Sequence, residues 1–307
     1  MRALVGCLLL VTAGTAAPFG CGPHETDASP LASASDVDAS PDVQSAAPPD
    51  GAAAVDAEAD ALATPDAALA PPVSVGLGVS YQRVGVGNAV LVVYGGYTAE
   101  LSWTEAWARE LVRASLGVRG VGHVYAAQGP KDASYTSKEI GNSGLRAHLA
   151  ALTPGASFIL VVAHSSGSYV AHELMQQLDA ANADAALSKL VYANLDGGES
   201  GFDAGLAAKL RRALFVFARD PSLASGLSAN ASTATALGAK YAAFGGAFEV
   251  LVPGTGCNSG AKWCLHDVVV THRPHDPATF NLSLDYTDFQ NRPVTTEYID
   301  AVATYLM

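Results

Sequence analysis

Residues 157–178 read SFILVVAHSSGSYVAHELMQQL, and this stretch is the most informative part of the sequence for the fold. Its first six residues, 157–162, are mostly apolar and β-branched or aromatic, which predicts a short strand buried on both faces. After residues 163–167 (AHSSG), apolar side chains recur at helical spacing, which predicts an amphipathic helix. Ser165 therefore lies where a buried strand turns sharply into a helix.

A serine between small residues at a sharp strand-to-helix turn is typical of a nucleophile elbow. The backbone at such a serine is strained, and small neighbours let the strand and the helix approach each other closely. We therefore predict Ser165 as a nucleophile. We expect the backbone N–H of Ser166, at the helix N-terminus, to face a developing oxyanion. The plainer alternative is a Ser-rich helix N-cap.

The same residues resemble the G-x-S-x-G elbow of the α/β-hydrolase family, with Ala163 in place of the first glycine. The resemblance extends over residues 88–306. It depends on the order of the parts, which are a glycine turn, the elbow, an acid, a histidine and a final helix. It implies the α/β-hydrolase fold and a Ser-His-acid triad that needs neither a metal ion nor an organic cofactor.

Predicted strands and helices alternate along the rest of the chain. This alternation predicts an α/β fold with a doubly wound, mostly parallel sheet and helices on both faces. Only about twenty residues separate the strands that end at Leu195 and Ala218, too few for a large cap domain. Besides the elbow, the predicted strands are 88–94, 122–127, 189–195, 213–218 and 248–252, after a first strand or hairpin at 73–84, and the predicted helices are 101–116, 137–152, 203–212, 231–243 and 295–306.

A serine nucleophile needs a base, and the base needs an acid that orients it. In the family that the elbow resembles, the acid and then the histidine follow the nucleophile along the chain. His266, His272 and His275 lie downstream of the elbow. His266 is favoured because it follows the predicted strand 248–252 through a loop, where the family has its histidine. His164, beside the nucleophile, is expected to point away from the site.

Two aspartates are candidates for the acid. Asp220 follows the strand ALFVFA in the segment FARDP, which resembles the acid-bearing turn of the family after its penultimate strand. Asp196 ends the strand KLVYANL, one strand earlier, where some members of the family have their acid. Asp220 is favoured and Asp196 is the alternative. Asp267, next to His266 in sequence, is expected to be a surface charge or a loop cap.

The second oxyanion donor is expected in the turn after the strand NAVLVVY. Residues 94–96 (YGG) occupy the place of the His-Gly-x segment seen in many members of the family. Glycine lets the backbone approach a substrate closely. The expected donor is the backbone N–H of Gly96, or that of Tyr97.

Cys257 and Cys264 lie seven residues apart in the loop that leads to His266. In an exported protein such a pair is expected to form a disulfide bond, and two reduced core thiols are the alternative. A disulfide would hold the histidine loop in one geometry, as a base within hydrogen-bond reach of Ser165 requires.

The N-terminal residues predict export. Residues 1–21 combine Arg2 with an apolar run too short to span a bilayer, which indicates a signal sequence. The end of this segment resembles a bacterial lipobox, in which Cys21 would be the lipidated residue, whereas cleavage near the small residues 15–17 would release a secreted protein. We therefore expect an exported protein, either a cell-surface lipoprotein or a secreted one.

Residues 22–72 consist mainly of Ala, Asp, Pro and Ser, with ten acidic residues and no Lys or Arg. Such a segment buries too little apolar surface to offset its ordering entropy, which predicts a disordered linker before a catalytic domain at 73–307. Without this segment and Arg2, 16 basic and 19 acidic residues remain, so most of the net charge of −12 belongs to the linker. The absence of a basic patch argues against a nucleic-acid partner.

Taken together, these patterns predict a serine hydrolase that cleaves a carboxylic ester through Ser165, His266 and Asp220. Its expected substrate is a small-molecule or polymeric ester. An extracellular peptidase would have the same triad. A non-catalytic binding module, displayed at the cell surface on the same fold, is the alternative from a different class.

Overall fold

A computed structural model of the protein describes residues 70–132, 140–258, 262–272 and 293–306. The predicted export signal with Cys21, the predicted linker up to residue 69, and His275 lie outside the described residues. Within these ranges, no helix combines the length and the apolar character that crossing a bilayer requires.

The described chain is built around an eight-stranded sheet. The β1–β2 and β2–β4 pairs are antiparallel, and the other five pairs are parallel. The loops that follow the parallel strands therefore meet at one edge of the sheet. The strands are β1 (Val73–Gly76), β2 (Val79–Arg83), β3 (Ala89–Tyr94), β4 (Val121–Ala127), β5 (Ile159–His164), β6 (Leu190–Leu195), β7 (Arg212–Arg219) and β8 (Gly245–Leu251), and their order in the sheet is β1-β2-β4-β3-β5-β6-β7-β8.

Helices connect the parallel strands. The first helix continues through a π-helical turn, Val112–Leu116, and a 3-10 turn, Gly117–Arg119, and ends at Gly120, which has a φ of 85°. The helices of the described residues are α1 (Leu101–Leu111), α2 (Asn142–Leu152), α3 (Gly167–Ala180), α4 (Asp184–Leu187), α5 (Ala204–Lys209), α6 (Ala231–Lys240), α7 (Val268–Thr271) and α8 (Glu297–Leu306).

Two hydrophobic cores lie on opposite faces of the sheet because side chains alternate along each strand. In β5, Leu160 and Val162 belong to one core, whereas Ile159, Val161 and Ala163 belong to the other. Helices α1, α7 and α8 contribute to the first core, and α2 to α6 contribute to the second. The central strands are buried on both faces, as the run of apolar residues in each of them predicts.

This architecture confirms the predicted fold class, an α/β-hydrolase fold with a doubly wound and mostly parallel sheet. Between β6 and β7 the chain forms only α5 and its loops, so no cap domain is inserted at that point. Strand β5 ends two residues later than predicted, because Ala163 and His164 continue the pairing with β6. The predicted helix 137–152 is helical from Asn142, and residues 133–139 lie outside the described residues.

Candidate active site

The predicted elbow forms a tight turn between β5 and α3. The strand ends at His164 and the helix begins at Gly167, so Ser165 lies in the turn itself. Ser165 has a φ of 53°, in the left-handed region that residues with a side chain rarely adopt. It is half-buried, whereas its neighbours His164 and Ser166 are buried. This is the strained and accessible serine that the sequence predicts, rather than an ordinary helix cap.

The glycine turn after β3 lies against the elbow. A Cβ atom at Gly96 would lie 3.2 Å from the Cβ of Ser165 and 3.0 Å from Nδ1 of His164. A Cβ atom at Gly167 would lie only 2.3 Å from the carbonyl oxygen of Gly95. The approach at Gly167 requires glycine, and a side chain at Gly96 would crowd the elbow. The backbone of Gly96 is therefore beside Ser165, where the sequence predicts the second oxyanion donor.

His266 lies at the same edge of the sheet and is bonded to a buried carboxylate. Its Nδ1 lies 2.5 Å from Oδ2 of Asp196, and the Asp196 side chain is fully buried. Because a carboxylate oxygen accepts, Nδ1 carries the hydrogen and Nε2 is the basic nitrogen. The ring of His266 packs on that of His164, with 4.6 Å between the ring centroids, which places His266 beside the elbow.

Both carboxylate oxygens of Asp196 have partners. Oδ1 accepts a hydrogen bond of 2.7 Å from the hydroxyl of Ser228 and one of 3.1 Å from the backbone N–H of Asn230. The amide of Asn230 also donates to the backbone carbonyl of Asp196, at 2.6 Å. Asp196 itself has a φ of 45°. These bonds leave Oδ2 of Asp196 directed at His266. No local pattern in the sequence indicated the part of Ser228 or Asn230 in this arrangement.

The environment of His266 favours its charged form. Burial opposes the charge, but the hydrogen bond and the charge of Asp196, together with the charge of Asp267, raise the pKa of His266 above its ordinary value. A histidine that gains a proton easily while remaining oriented by a carboxylate is suited to general base catalysis.

Asp220, the acid favoured by the sequence, is bonded to groups other than His266, whereas His266 is bonded to Asp196, the alternative acid. Its Oδ1 accepts hydrogen bonds from the hydroxyl and the backbone N–H of Ser222. Its Oδ2 accepts one of 2.5 Å from the hydroxyl of Thr255 and one of 2.9 Å from the backbone N–H of Thr255. The N–H of Gly254 also donates to Oδ1, at 3.2 Å. The bonds from Ser222 and Thr255 lower the pKa of the carboxyl. Asp220 therefore joins the loops after β7 and β8.

The loop between β8 and α7 carries His266 and contains a disulfide bond between Cys257 and Cys264. The backbone N–H of Cys257 donates to Oγ1 of Thr255, at 3.3 Å, so the loop is also attached to the Asp220 cluster. Trp263, in the same loop, meets the His266 ring edge to face at 5.1 Å between centroids, and 42% of its surface is exposed. An exposed tryptophan thus borders the histidine.

His164 and Asp267 are placed differently from what the sequence predicts. His164 was expected to point away from the site, but its Nε2 lies 3.3 Å from the backbone carbonyl oxygen of His266. Asp267 was expected at the surface or as a cap. It precedes α7, but its side chain is 5% exposed, caps no N–H there, and lies 3.7 Å from Nε2 of His164. Side-chain alternation could have located His164, because it shares a face with Leu160 and Val162.

One group of side chains has the composition of a metal site. A ring nitrogen of His164, a ring nitrogen of His266 and a carboxylate oxygen of Asp267 all lie within 4.8 Å of one another. Zinc ligands, at 2.0–2.1 Å from the ion, are about 3.4 Å apart in a tetrahedral site. A zinc ion would therefore have to draw these groups together. In the present geometry Nε2 of His164 lies 3.3 Å from the backbone carbonyl oxygen of His266 and 3.7 Å from a carboxylate oxygen of Asp267.

The remaining downstream histidine of the described residues, His272, is separate from this cluster. Its Nε2 lies 2.9 Å from a carboxylate oxygen of Glu297, at the start of α8. The structure therefore places Gly96 beside Ser165 and joins His266 to Asp196, with His164 in contact with both Gly96 and His266. It places Asp220 and His272 in other contacts.

Similar solved structures include a carboxylesterase and two proteins whose names state no activity. MPT51 (FbpC1) of Mycobacterium tuberculosis is 15% identical over 63% of this chain and 94% of its own, with a TM-score of 0.39. EstE1, a thermophilic carboxylesterase cloned from a metagenomic library, is 14% identical over 62% of this chain and 81% of its own, also with a TM-score of 0.39. TT1662 of Thermus thermophilus is 14% identical over 61% of this chain and 90% of its own, with a TM-score of 0.36.

No protein-family model matches the chain, and no curated protein matches it significantly. Because the TM-scores and identities of the solved structures are low, the fold assignment rests on the sheet topology. The description of the site rests on its own distances.

Proposed function

We propose that the protein is a serine hydrolase that cleaves a carboxylic ester through Ser165, His266 and Asp196. The observation that carries this proposal is the 2.5 Å contact between Nδ1 of His266 and the buried carboxylate of Asp196, beside a serine with a left-handed backbone. A nucleophile, a base and an orienting acid are the three parts that acyl transfer by serine requires.

In the first half of the proposed reaction, Oγ of Ser165 attacks the acyl carbon of the ester. The hydroxyl proton passes to Nε2 of His266, and Asp196 stabilises the resulting imidazolium through Nδ1–H. The C–O bond to the leaving group then breaks, and the same proton passes from Nε2 to the leaving oxygen. The products are an alcohol and an acyl group bonded to Ser165.

In the second half, a water molecule takes the place of the alcohol. His266 accepts a proton from this water as its oxygen attacks the acyl carbon, and then returns the proton to Oγ of Ser165 as the acid leaves. In each half the acyl oxygen becomes negatively charged. We assign its stabilisation to the backbone N–H groups of Ser166, at the N-terminus of α3, and Gly96.

The test uses the purified full chain, a fluorophosphonate that labels activated serines, and p-nitrophenyl esters. We expect peptide mass mapping to find the label on Ser165. The Ser165→Ala variant should neither be labelled nor turn over the esters. Asp184→Asn is a matched surface control because the Asp184 side chain is 74% exposed and lies in α4, which precedes β6, whereas the residues of the site follow the strands. This variant should behave as the wild type.

Other outcomes would identify the alternatives. A folded chain that shows neither label nor turnover would contradict the esterase proposal and favour a non-catalytic binding module on the same fold. Label on Ser165 with turnover of peptide amides but not of esters would contradict it in favour of a peptidase.

We also propose that the protein is exported and either secreted or anchored through Cys21. The support comes from residues 1–21 of the sequence and from the Cys257–Cys264 disulfide, a bond typical of oxidising compartments. Cell fractionation with metabolic labelling by a fatty acid should find the chain outside the cytoplasm. Loss of lipid label in Cys21→Ser would establish the anchor, and a wild-type chain without label would leave secretion as the route.

A further inference from the structure

Beside the triad lies a second histidine–carboxylate pair, to which the proposed reaction gives no part. His164 is the last residue of β5, and Asp267 directly follows His266. Their side chains are only 3% and 5% exposed. Burial of ionisable groups is costly unless they are paired or hydrogen-bonded, so two such residues at one site require a physical reason.

The hydrogen bond of His164 fixes which of its nitrogens carries the hydrogen. Nε2 lies 3.3 Å from the backbone carbonyl oxygen of His266, and a carbonyl oxygen only accepts. Nε2 therefore carries the hydrogen and donates it. Burial, together with the neighbouring His266, lowers the pKa of His164 to about 4, so the ring is neutral near pH 7.

The ring of His164 also supports the ring of His266. The two ring centroids are 4.6 Å apart and the planes are inclined by 37°. The side chain of His164 thus contacts both the backbone and the ring of His266. Asp267 places a carboxylate oxygen within 4.8 Å of a ring nitrogen of each histidine.

We propose that His164 and Asp267 act as positioning residues for the base, so that His164 fixes the place of His266 and Asp267 stabilises its protonated form. This inference rests on the proposed ester hydrolysis. It gives His266 two carboxylates, one that is bonded to Nδ1 and one that acts through its charge, and a neutral neighbour that adds no competing positive charge.

The titratable groups facing His266 come from three elements. Asp196 follows β6, His164 ends β5, and Asp267 lies in the loop of His266 itself. Because Asp267 carries a negative charge, removing it disfavours the imidazolium and lowers the pKa of His266. A free enzyme whose base has a lower pKa retains its unprotonated base to lower pH, so the acid limb of kcat/KM moves down.

The decisive experiment compares the pH dependence of kcat/KM for the wild type and Asp267→Asn, both as full chains. The substitution keeps the size of the side chain and removes its charge. We expect the acid limb to move to lower pH by about one unit, and the rate of fluorophosphonate labelling to shift with it. Asp184→Asn, a change of the same chemistry at an exposed site, should not shift the profile.

A second pair of variants tests His164. His164→Phe keeps a ring against His266 but removes the donor, and should lower kcat by about tenfold with KM unchanged. His164→Gln keeps an N–H donor and should recover part of this loss. Thermal melting of each variant establishes that the chain is folded.

The possible results separate this inference from the proposed function. An active wild type whose acid limb stays in place in Asp267→Asn, or whose kcat survives in His164→Phe, would overturn the positioning role alone. If His164 and Asp267 only stabilise the fold, the variants should melt at lower temperatures while the pH profile of kcat/KM stays in place. A wild type with neither label nor turnover would instead overturn ester hydrolysis.

Discussion

At the scale of single residues, the site depends on two strained backbones at the ends of neighbouring strands. Ser165 and Asp196 have φ values of 53° and 45°, at the turns that follow β5 and β6. A left-handed conformation costs a residue with a side chain about 1–2 kcal/mol. Packing around both turns must supply this energy, which is a pattern typical of functional sites.

The two aspartates should differ sharply when each is changed to asparagine. Asp196→Asn removes the charge that orients and stabilises His266, so we expect kcat/KM to fall by about 10³–10⁴-fold. Asp220→Asn weakens the contacts with Ser222 and Thr255, so it should lower the melting temperature more than it lowers activity. Ester turnover and thermal melting of both variants check this, and a larger loss of activity in Asp220→Asn would restore the original assignment.

The pH dependence of the proposed ester hydrolysis follows from the direction of the His266 pKa. In the proposed reaction His266 acts only when Nε2 is unprotonated, and the pKa of His266 is raised above its ordinary value. Activity should therefore decline, as the pH falls, already above pH 6.5, the ordinary value for histidine. A pH profile of kcat/KM measures this. A midpoint well below that of a free histidine would contradict the electrostatic description of the site.

At the scale of elements, the loop between β8 and α7 determines the position of His266, the proposed base. The Cys257–Cys264 disulfide closes a short loop and should contribute roughly 2–3 kcal/mol in the chain-entropy model. We expect the Cys257→Ser/Cys264→Ser double variant to melt at a lower temperature and to lose kcat more than it changes KM. If kcat is unaffected under conditions where the variant is folded, the disulfide stabilises the chain without positioning His266.

Trp263 presents an exposed apolar surface beside His266, and we expect it to contact the substrate of the proposed reaction. Its ring contacts His266 edge to face, and 42% of its surface is exposed. Trp263→Ala should raise KM for esters with large apolar groups and leave small esters nearly unchanged, because only large groups would reach the ring. Trp263→Phe, which keeps an aromatic surface, is the control. Equal effects on large and small esters would argue for a packing role instead.

Local patterns predicted the elements well, and tertiary contacts explain where they failed. The apolar runs and the serine turn identified β5, α3 and the elbow, because these depend on neighbours in sequence. Asp196 and Asp220 both follow predicted strands, so the sequence offered no local feature that shows which of them is bonded to His266. Residues distant in sequence determine the partners of the two carboxylates. Ser228 and Asn230 donate hydrogen bonds to Oδ1 of Asp196 and leave its Oδ2 for His266, whereas Thr255 donates to Oδ2 of Asp220. His164 was missed because β5 extends further than its apolar run.

At the scale of the whole molecule, one sheet joins two cores that should unfold together. Ile159 and Leu160 are consecutive and fully buried, yet they belong to different cores. We expect Ile159→Ala and Leu160→Ala each to destabilise the protein by about 2–5 kcal/mol.

The measurement is chemical unfolding followed by both far-UV circular dichroism and tryptophan fluorescence. Trp103 and Trp107 lie in the core of Leu160, and the third tryptophan, Trp263, lies in the loop that carries His266, so no tryptophan lies in the core of Ile159. In Ile159→Ala, whose cavity is on the other face, the two signals should still shift together. Separate transitions would show that the faces unfold independently.

The close contact between α3 and the glycine turn has a consequence for the spacing of the two proposed oxyanion donors. Because Gly167 lies against the carbonyl of Gly95, the first turn of the helix and the end of β3 are as near as backbones permit. The two amides assigned to the oxyanion belong to these two segments. A single methyl group at position 167 would force the two segments apart and increase the distance between the two amides, so the missing side chain keeps both donors within reach of one oxygen atom.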